Sequence, residues 1–184
     1  MAGDLPAKTR MRIFIDTEFT TLTPDAELLS FGAVSEDGDE FYCELEPVPR
    51  ANCSGFVLQF VLPLFEGGAA VCPRDRFGER LAAWLSRFAN PLLLADSDWD
   101  ILVVRHAVSG QRNRRPGLLA LPGPDGMLEV MLLTLAPLPD AVLEIFAQGM
   151  RQHFAGDNRQ HHALVDARAM RCGLLAVMAA TARR

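Results

Sequence analysis

The sequence predicts a mixed α/β domain built around one central sheet. Two observations carry this expectation. Three short apolar runs open the chain, the last two joined by a tight polar turn, so the sheet should begin with three antiparallel strands. The period then changes, and segments with helical spacing alternate with further short buried runs.

The elements follow in order. Met11–Asp16 (MRIFID) is a short apolar run ending in acid and reads as a buried strand. Leu28–Ser35 and Glu40–Leu45 read as two more strands, with Glu36-Asp37-Gly38-Asp39 supplying the turn between them. Ser54–Phe65 and Arg74–Phe88 have helical spacing and are separated by the breakers Gly67, Gly68 and Pro73. Asn90-Pro91 marks a turn before Leu92–Ala95, another short buried strand. Asp98–Ala107 reads as a helix, Arg112–Gly117 as a basic loop, and Leu118–Leu121 as an edge strand. Pro139–Gln148 and Leu164–Ala180 complete the helices. No internal repeat or low-complexity linker interrupts the chain. Residues 11–184 are therefore expected to form one domain behind a flexible tail of residues 1–10.

Composition narrows the function classes. A chain of 184 residues, 49% of them hydrophobic, can bury a core without disulfides or a structural metal. The four cysteines (Cys43, Cys53, Cys72 and Cys172) form no C-x-x-C pair, which argues against a zinc site and a disulfide framework. No stretch is apolar and long enough to span a bilayer, and residues 1–10 lack a secretory signal. A cytoplasmic protein with no membrane partner is expected. The formal net charge of −5 argues against a broad basic surface for nucleic acid. It leaves room for a protein that grips a few phosphates through metal ions and a small set of arginines.

Three acidic constellations carry the chemistry. In Asp16-Thr17-Glu18 the two carboxylates are two residues apart on an extended chain and point to one face. Placed together at a buried strand end they repel each other, unless a cation sits between them or the strand end is simply wet. A second apolar strand runs into Asp96-Ser97-Asp98-Trp99-Asp100. Helix capping accounts well for Asp96 or Asp98 and less well for Asp100. The third, His161-His162-Ala163-Leu164-Val165-Asp166, opens the last helix, where His161 and Asp166 can face a common cleft. Each alone is a weak signal. Together they sit at strand or helix ends, where α/β sheets place their sites.

In that order the segments IDTEFT, ADSDWD and HHALVD resemble the three exonuclease motifs of the DnaQ-like DEDD superfamily, in the branch whose last motif is H-x4-D. Ribonuclease T, oligoribonuclease-type enzymes and polymerase proofreading subunits belong to that branch. The resemblance runs from Met11 to about Ala180. The middle motif often reads H-N-x-x-F-D in the family. Here Ala95-Asp96-Ser97-Asp98-Trp99-Asp100 places an aspartate where the asparagine usually stands. Aligning the aromatic and its following acid makes Asp100 the metal ligand, with Asp96 or Asp98 as alternatives.

The resemblance implies a ribonuclease H-like fold and a 3′→5′ exonuclease assisted by two Mg²⁺ or Mn²⁺ ions. The implied cage is Asp16, Glu18, Asp100 and Asp166, with Asp16 bridging and His161 as general base. The implied substrate is the 3′ end of single-stranded RNA or DNA, released as nucleoside 5′-monophosphates, with RNA favoured for so small a domain. Thr17 and Phe19 are expected at the substrate, Phe19 either stacking on the terminal base or packing in the core. Arg112, Arg114 and Arg115, with Arg105 nearby, form the one strong basic cluster and either contact phosphates or line a solvated loop. Phe56–Phe65 offers a face for a homodimer or a core element.

Two rival functions belong to other classes. A catalytically degenerate domain would bind nucleic acid without cleaving it, but no cage carboxylate is missing. A haloacid-dehalogenase-type phosphatase would use Asp16 as nucleophile and Thr20 as phosphate ligand. That chemistry leaves His161 and Asp166 without a role, and the chain's only lysine, Lys8, precedes the strand.

Overall fold

A computed structural model of the chain describes residues 10–124, 126–135 and 139–182. The expected flexible tail of residues 1–10 lies, apart from Arg10, outside the described residues. The architecture is a seven-stranded mixed sheet flanked by helices, with strand order β4-β3-β2-β1-β5-β7-β6. In chain order the elements are β1 (Arg12–Phe19), β2 (Leu28–Ser35), β3 (Glu40–Glu46), β4 (Val71–Pro73), α1 (Phe77–Leu85) and β5 (Leu92–Ala95). They continue with α2 (Asp98–Ser109), β6 (Gly117–Gly123), β7 (Gly126–Thr134), α3 (Asp140–Gly156) and α4 (Ala163–Thr181).

β1, β2 and β3 form the expected antiparallel opening. The β2–β3 turn carries Gly38 at φ 100°, a left-handed conformation that glycine adopts without steric cost. β5 then pairs parallel to β1, and β7 parallel to β5. Alternation along β1 divides the core between the two faces of the sheet. Ile13 and Ile15 pack with residues of α1 and α2, including Leu81, Leu85, Ile101 and Val104. Phe14, on the opposite face, packs with Phe146 of α3 and with Ala167 and Met170 of α4.

Several expected boundaries shift. β1 does not end at Asp16 but stays paired with β2 through Phe19. What ends early is its other neighbour, since the β1–β5 ladder stops at Phe14 and Leu94. The acids of β1 therefore lie beyond the end of β5 rather than beyond the end of their own strand. Ser54–Phe65 is helical but irregular, with a π-helical turn at Val57–Val61 followed by a 3₁₀ turn at Leu62–Leu64. Pro63 has no N–H to continue an α-helical ladder. Arg74–Phe88 shrinks to α1, preceded by a 3₁₀ turn at Arg74–Arg76. β6 is the expected edge strand, but its hairpin partner β7 and the short β4 went unread.

Candidate metal centre

The site forms where β1 runs on past the end of β5. Asp16 and Glu18 project towards the α3–α4 side, the face that carries Phe14. A β-bulge interrupts the β1–β2 register between Glu18 and Phe19, so Phe19 pairs with Leu28 and Leu29 is the extra residue. Bulges of this kind re-aim side chains beside functional sites. Leu29 drops into a small cluster with Val57 and Val61, which seats the π-helical segment next to the strand end.

α2 delivers the second set of acids. Ser97 caps the helix by accepting a hydrogen bond from the Trp99 N–H at 3.1 Å. Asp98 and Asp100 then fall in the first turn, where the helix dipole favours negative charge. They diverge. Asp98 is exposed and faces Arg114 at 3.9 Å. Asp100 is only 3% exposed and its carboxylate accepts the hydroxyl hydrogen of Thr17. Thr17 is itself almost fully buried; it lines the cleft, and its hydroxyl donates to Asp100.

α4 delivers the third set. His161 has a left-handed backbone, φ 71°, which costs a non-glycine residue about 1–2 kcal/mol. Its N–H donates to Asp166 Oδ2 at 2.9 Å, and a hydrogen bond to a carboxylate contributes about 1.5–3 kcal/mol, enough to offset that strain. The neighbouring His162 anchors the turn. Its ring is buried, stacked on Tyr42 at 4.5 Å between centroids, and Nε2 lies 3.3 Å from Glu66. α4 starts directly against β2, because a Cβ on Gly32 would come within 2.3 Å of the Ala163 carbonyl carbon and the Leu164 nitrogen. Only a residue without a side chain admits the helix there.

These three segments meet in one cleft of about 440 Å³. Asp16, Glu18, Asp96, Asp100, His161 and Asp166 all line it, with Phe19, Leu22, Phe56 and Trp99 as apolar walls. The donor atoms fall into two groups, each spanning no more than 4.8 Å: Asp16, Asp96 and Asp100, and Glu18, His161 and Asp166. Either group could hold a metal ion. Asp98, one of the alternatives from sequence, belongs to neither group, whereas Asp96 joins Asp100 rather than replacing it.

The electrostatics fit a cation. Burial holds the Asp16 carboxyl well above the usual range, helped by Asp100, Glu18, Asp166 and Asp96. Burial pushes Glu18 up to about 8, with Asp166 and Asp100 adding to it. Burial likewise takes Asp100 to about 8 although Thr17 opposes the shift, and Asp166 to about 6 although the His161 N–H opposes it. Asp166 Oδ1 is buried with no hydrogen-bond partner. An acceptor oxygen in that state lacks the counterpart that a hard divalent cation supplies.

The arginines separate. Arg105 is buried and donates to the Leu118 carbonyl at 2.8 Å, which ties α2 to β6 and keeps it from the cleft. Arg112 donates to the Pro24 and Ala26 carbonyls at 2.7 and 3.3 Å, fastening its loop to the segment after β1. Arg114 lies over the Trp99 ring at 3.3 Å from its centroid, and Arg115 is exposed on the same loop. Phe19 stacks on Trp99 at 6.1 Å, so it serves both the wall of the cleft and its packing. On the far wall Phe56 meets the His161 ring edge-on at 4.9 Å.

Sequence reasoning missed Gly32, Phe56 and the anchoring role of His162. A glycine inside the apolar strand LLSFGAVS is the sign of close backbone approach. Nothing local marks the other two, which act through contacts distant in sequence. Among the described residues, no helix is long and apolar enough to cross a membrane. The chain matches no protein-family model and no curated protein.

Proposed function

We propose that this protein is a two-metal-dependent 3′→5′ exonuclease acting on single-stranded nucleic acid, RNA ahead of DNA, and releasing nucleoside 5′-monophosphates. One observation carries the reading. Asp16, Glu18, Asp100, Asp166 and His161, taken from three motifs spread over most of the chain, line a single cleft. The antiparallel three-strand opening of a mixed sheet is also compatible with the ribonuclease H-like fold that the motif resemblance implies.

In this reading Asp16, Glu18, Asp100 and Asp166 hold two Mg²⁺ or Mn²⁺ ions, hard cations that prefer carboxylate oxygens. The chemistry such a pair supplies is stabilisation of charge on the attacking and leaving oxygens of an in-line displacement. Asp16, whose carboxyl feels Asp100, Glu18, Asp166 and Asp96, would be the residue serving both ions. His161 takes the proton of the attacking water on an imidazole nitrogen. Its backbone bond to Asp166 and the edge of Phe56 hold the ring at the cleft. The Phe19–Trp99 wall offers a surface for the terminal base, and Arg114 offers a cation to a substrate phosphate.

The test is digestion of 3′- and 5′-labelled single-stranded RNA and DNA with Mg²⁺ or Mn²⁺, beside an Asp16→Ala control. Metal-dependent shortening from the 3′ end, lost in the control, is the expected result, and the faster substrate gives the sugar preference. Binding of either strand with no shortening supports a domain that holds nucleic acid without cutting it.

A further inference from the structure

We infer that Asp96 is a fifth metal-binding carboxylate, which lets the site load one of its ions before any substrate arrives. The inference rests on the two-metal reading above. It starts from register. β1 and β5 run parallel with Phe14 opposite Leu94, and both side chains face the α3–α4 side. Two residues beyond the last paired positions of each chain come Asp16, still on β1, and Asp96, just past the end of β5. The carboxylates approach, and Asp16, Asp96 and Asp100 place donor atoms within 4.8 Å of one another. Asp96 is exposed and lines the cleft. Its carboxyl interacts with that of Asp100, one of the proposed ligands, whereas Asp98 is drawn outwards to Arg114.

The motif resemblance sharpens the point, because this position usually carries a neutral asparagine and here carries a charge. Four ionised carboxylates balance two divalent ions. A fifth leaves the loaded site with one negative charge in excess before a phosphodiester enters. Two consequences follow, in opposite directions. Metal affinity in the absence of nucleic acid rises, since three carboxylates converge on the ion between Asp16, Asp96 and Asp100. Affinity for the anionic substrate falls, since the excess charge repels it. A residue that only shaped the loop would produce neither effect, and a residue that only bound metal more tightly would not produce the second.

The experiment is Mn²⁺ titration by calorimetry of the wild-type chain, Asp96→Asn and Asp98→Asn, without nucleic acid. It is followed by binding of a 5′-labelled single-stranded oligouridylate at saturating Mn²⁺, in the His161→Ala background. Asp96→Asn is expected to weaken one of two Mn²⁺ sites by on the order of 10–100-fold, the scale seen when metal-site partners are removed. The same change is expected to tighten oligonucleotide binding about fourfold, taking a unit charge at roughly 5 Å with water-like screening. Asp98→Asn is expected to leave the Mn²⁺ isotherm unchanged. Wild-type stoichiometry and affinity in Asp96→Asn overturns the inference and leaves the nuclease reading standing. Failure of the wild-type chain to take up Mn²⁺ overturns the nuclease reading itself.

Discussion

Gly32 pairs with Asp16 across the β1–β2 ladder, and at that same point the first turn of α4 rests on the sheet. Asp16 and the helix that carries Asp166 are thus brought together by one missing side chain. Gly32→Ala puts a methyl group within 2.3 Å of the backbone of Ala163 and Leu164, so the helix itself must shift. Overpacking of this kind costs about 1–3 kcal/mol. The expected outcome is a lower melting temperature together with weaker Mn²⁺ binding, measured by scanning calorimetry and by titration. Lost stability with an unchanged metal isotherm would show that the site does not depend on this approach.

The raised carboxylates make a prediction about pH. Glu18 and Asp100 titrate near 8 and Asp166 near 6, with Asp16 also raised, so the folded protein keeps protons that the unfolded chain loses around pH 4. With fewer protons on the unfolded chain, stability falls as pH rises from about 4 to about 8. The metal-free protein should therefore melt at progressively lower temperature across that window. Saturating Mg²⁺ or Mn²⁺ should remove most of the slope and release protons on binding at neutral pH. Thermal scans in chelator and in metal, over a series of buffers, decide it. A flat profile in chelator contradicts the acidic cluster as described.

Much of this arrangement was legible in the sequence, and the unread parts share a physical cause. β5 was read residue for residue, because a four-residue apolar run between Asn90-Pro91 and a set of acids has few alternatives. Asp16, Glu18, Asp100, His161 and Asp166 were singled out by the order of three motifs, each weak alone, and the fold brings all five to one cleft. β7 was missed although Pro124-Asp125-Gly126 is turn chemistry, because the run Met131-Leu132-Leu133 hides the alternation of Leu128, Val130 and Leu132. Thr17 and Arg112 were expected at substrate; the intramolecular partners of their side chains lie 83 and up to 88 residues away, and no local pattern encodes such contacts.

Thr17 is the positioning residue this leaves to test. Removing its hydroxyl in Thr17→Val takes the donor from the Asp100 carboxylate, a buried acceptor, at a cost of about 1–3 kcal/mol. The donor favours the ionised carboxylate, so its loss raises the Asp100 pKa further above about 8. The rise of metal-dependent activity with pH should then move to higher pH, and Thr17→Ser should restore it. A pH–rate profile identical to wild type would remove Thr17 from the site.

His161 and Asp16 should fail in different ways. His161→Ala leaves the four cage carboxylates in place, so Mn²⁺ binding is retained while turnover falls by about 10²–10⁴-fold, the range for a lost general base. Asp16→Ala removes a donor of one group whose carboxyl also feels Glu18 and Asp166 of the other, so both metal binding and turnover are expected to be lost. Calorimetry showing two normal Mn²⁺ sites in Asp16→Ala would overturn the bridging role.

The basic loop divides by what each guanidinium touches. Arg112 holds the Pro24 and Ala26 carbonyls, so Arg112→Ala should lower the melting temperature while leaving the salt dependence of oligonucleotide binding unchanged. Arg114 lies on the face of Trp99, whose ring lines the cleft, and its pairing with Asp98 at 3.9 Å is loose enough to yield to a phosphate. For single strands, each phosphate neutralised adds about 0.7 to the slope of log affinity against log salt. Arg114→Ala should therefore flatten that slope by about 0.7 and weaken binding without regard to base sequence. Measured in Mn²⁺ with the His161→Ala chain, an unchanged slope in Arg114→Ala together with a flattened one in Arg112→Ala would reverse the two assignments.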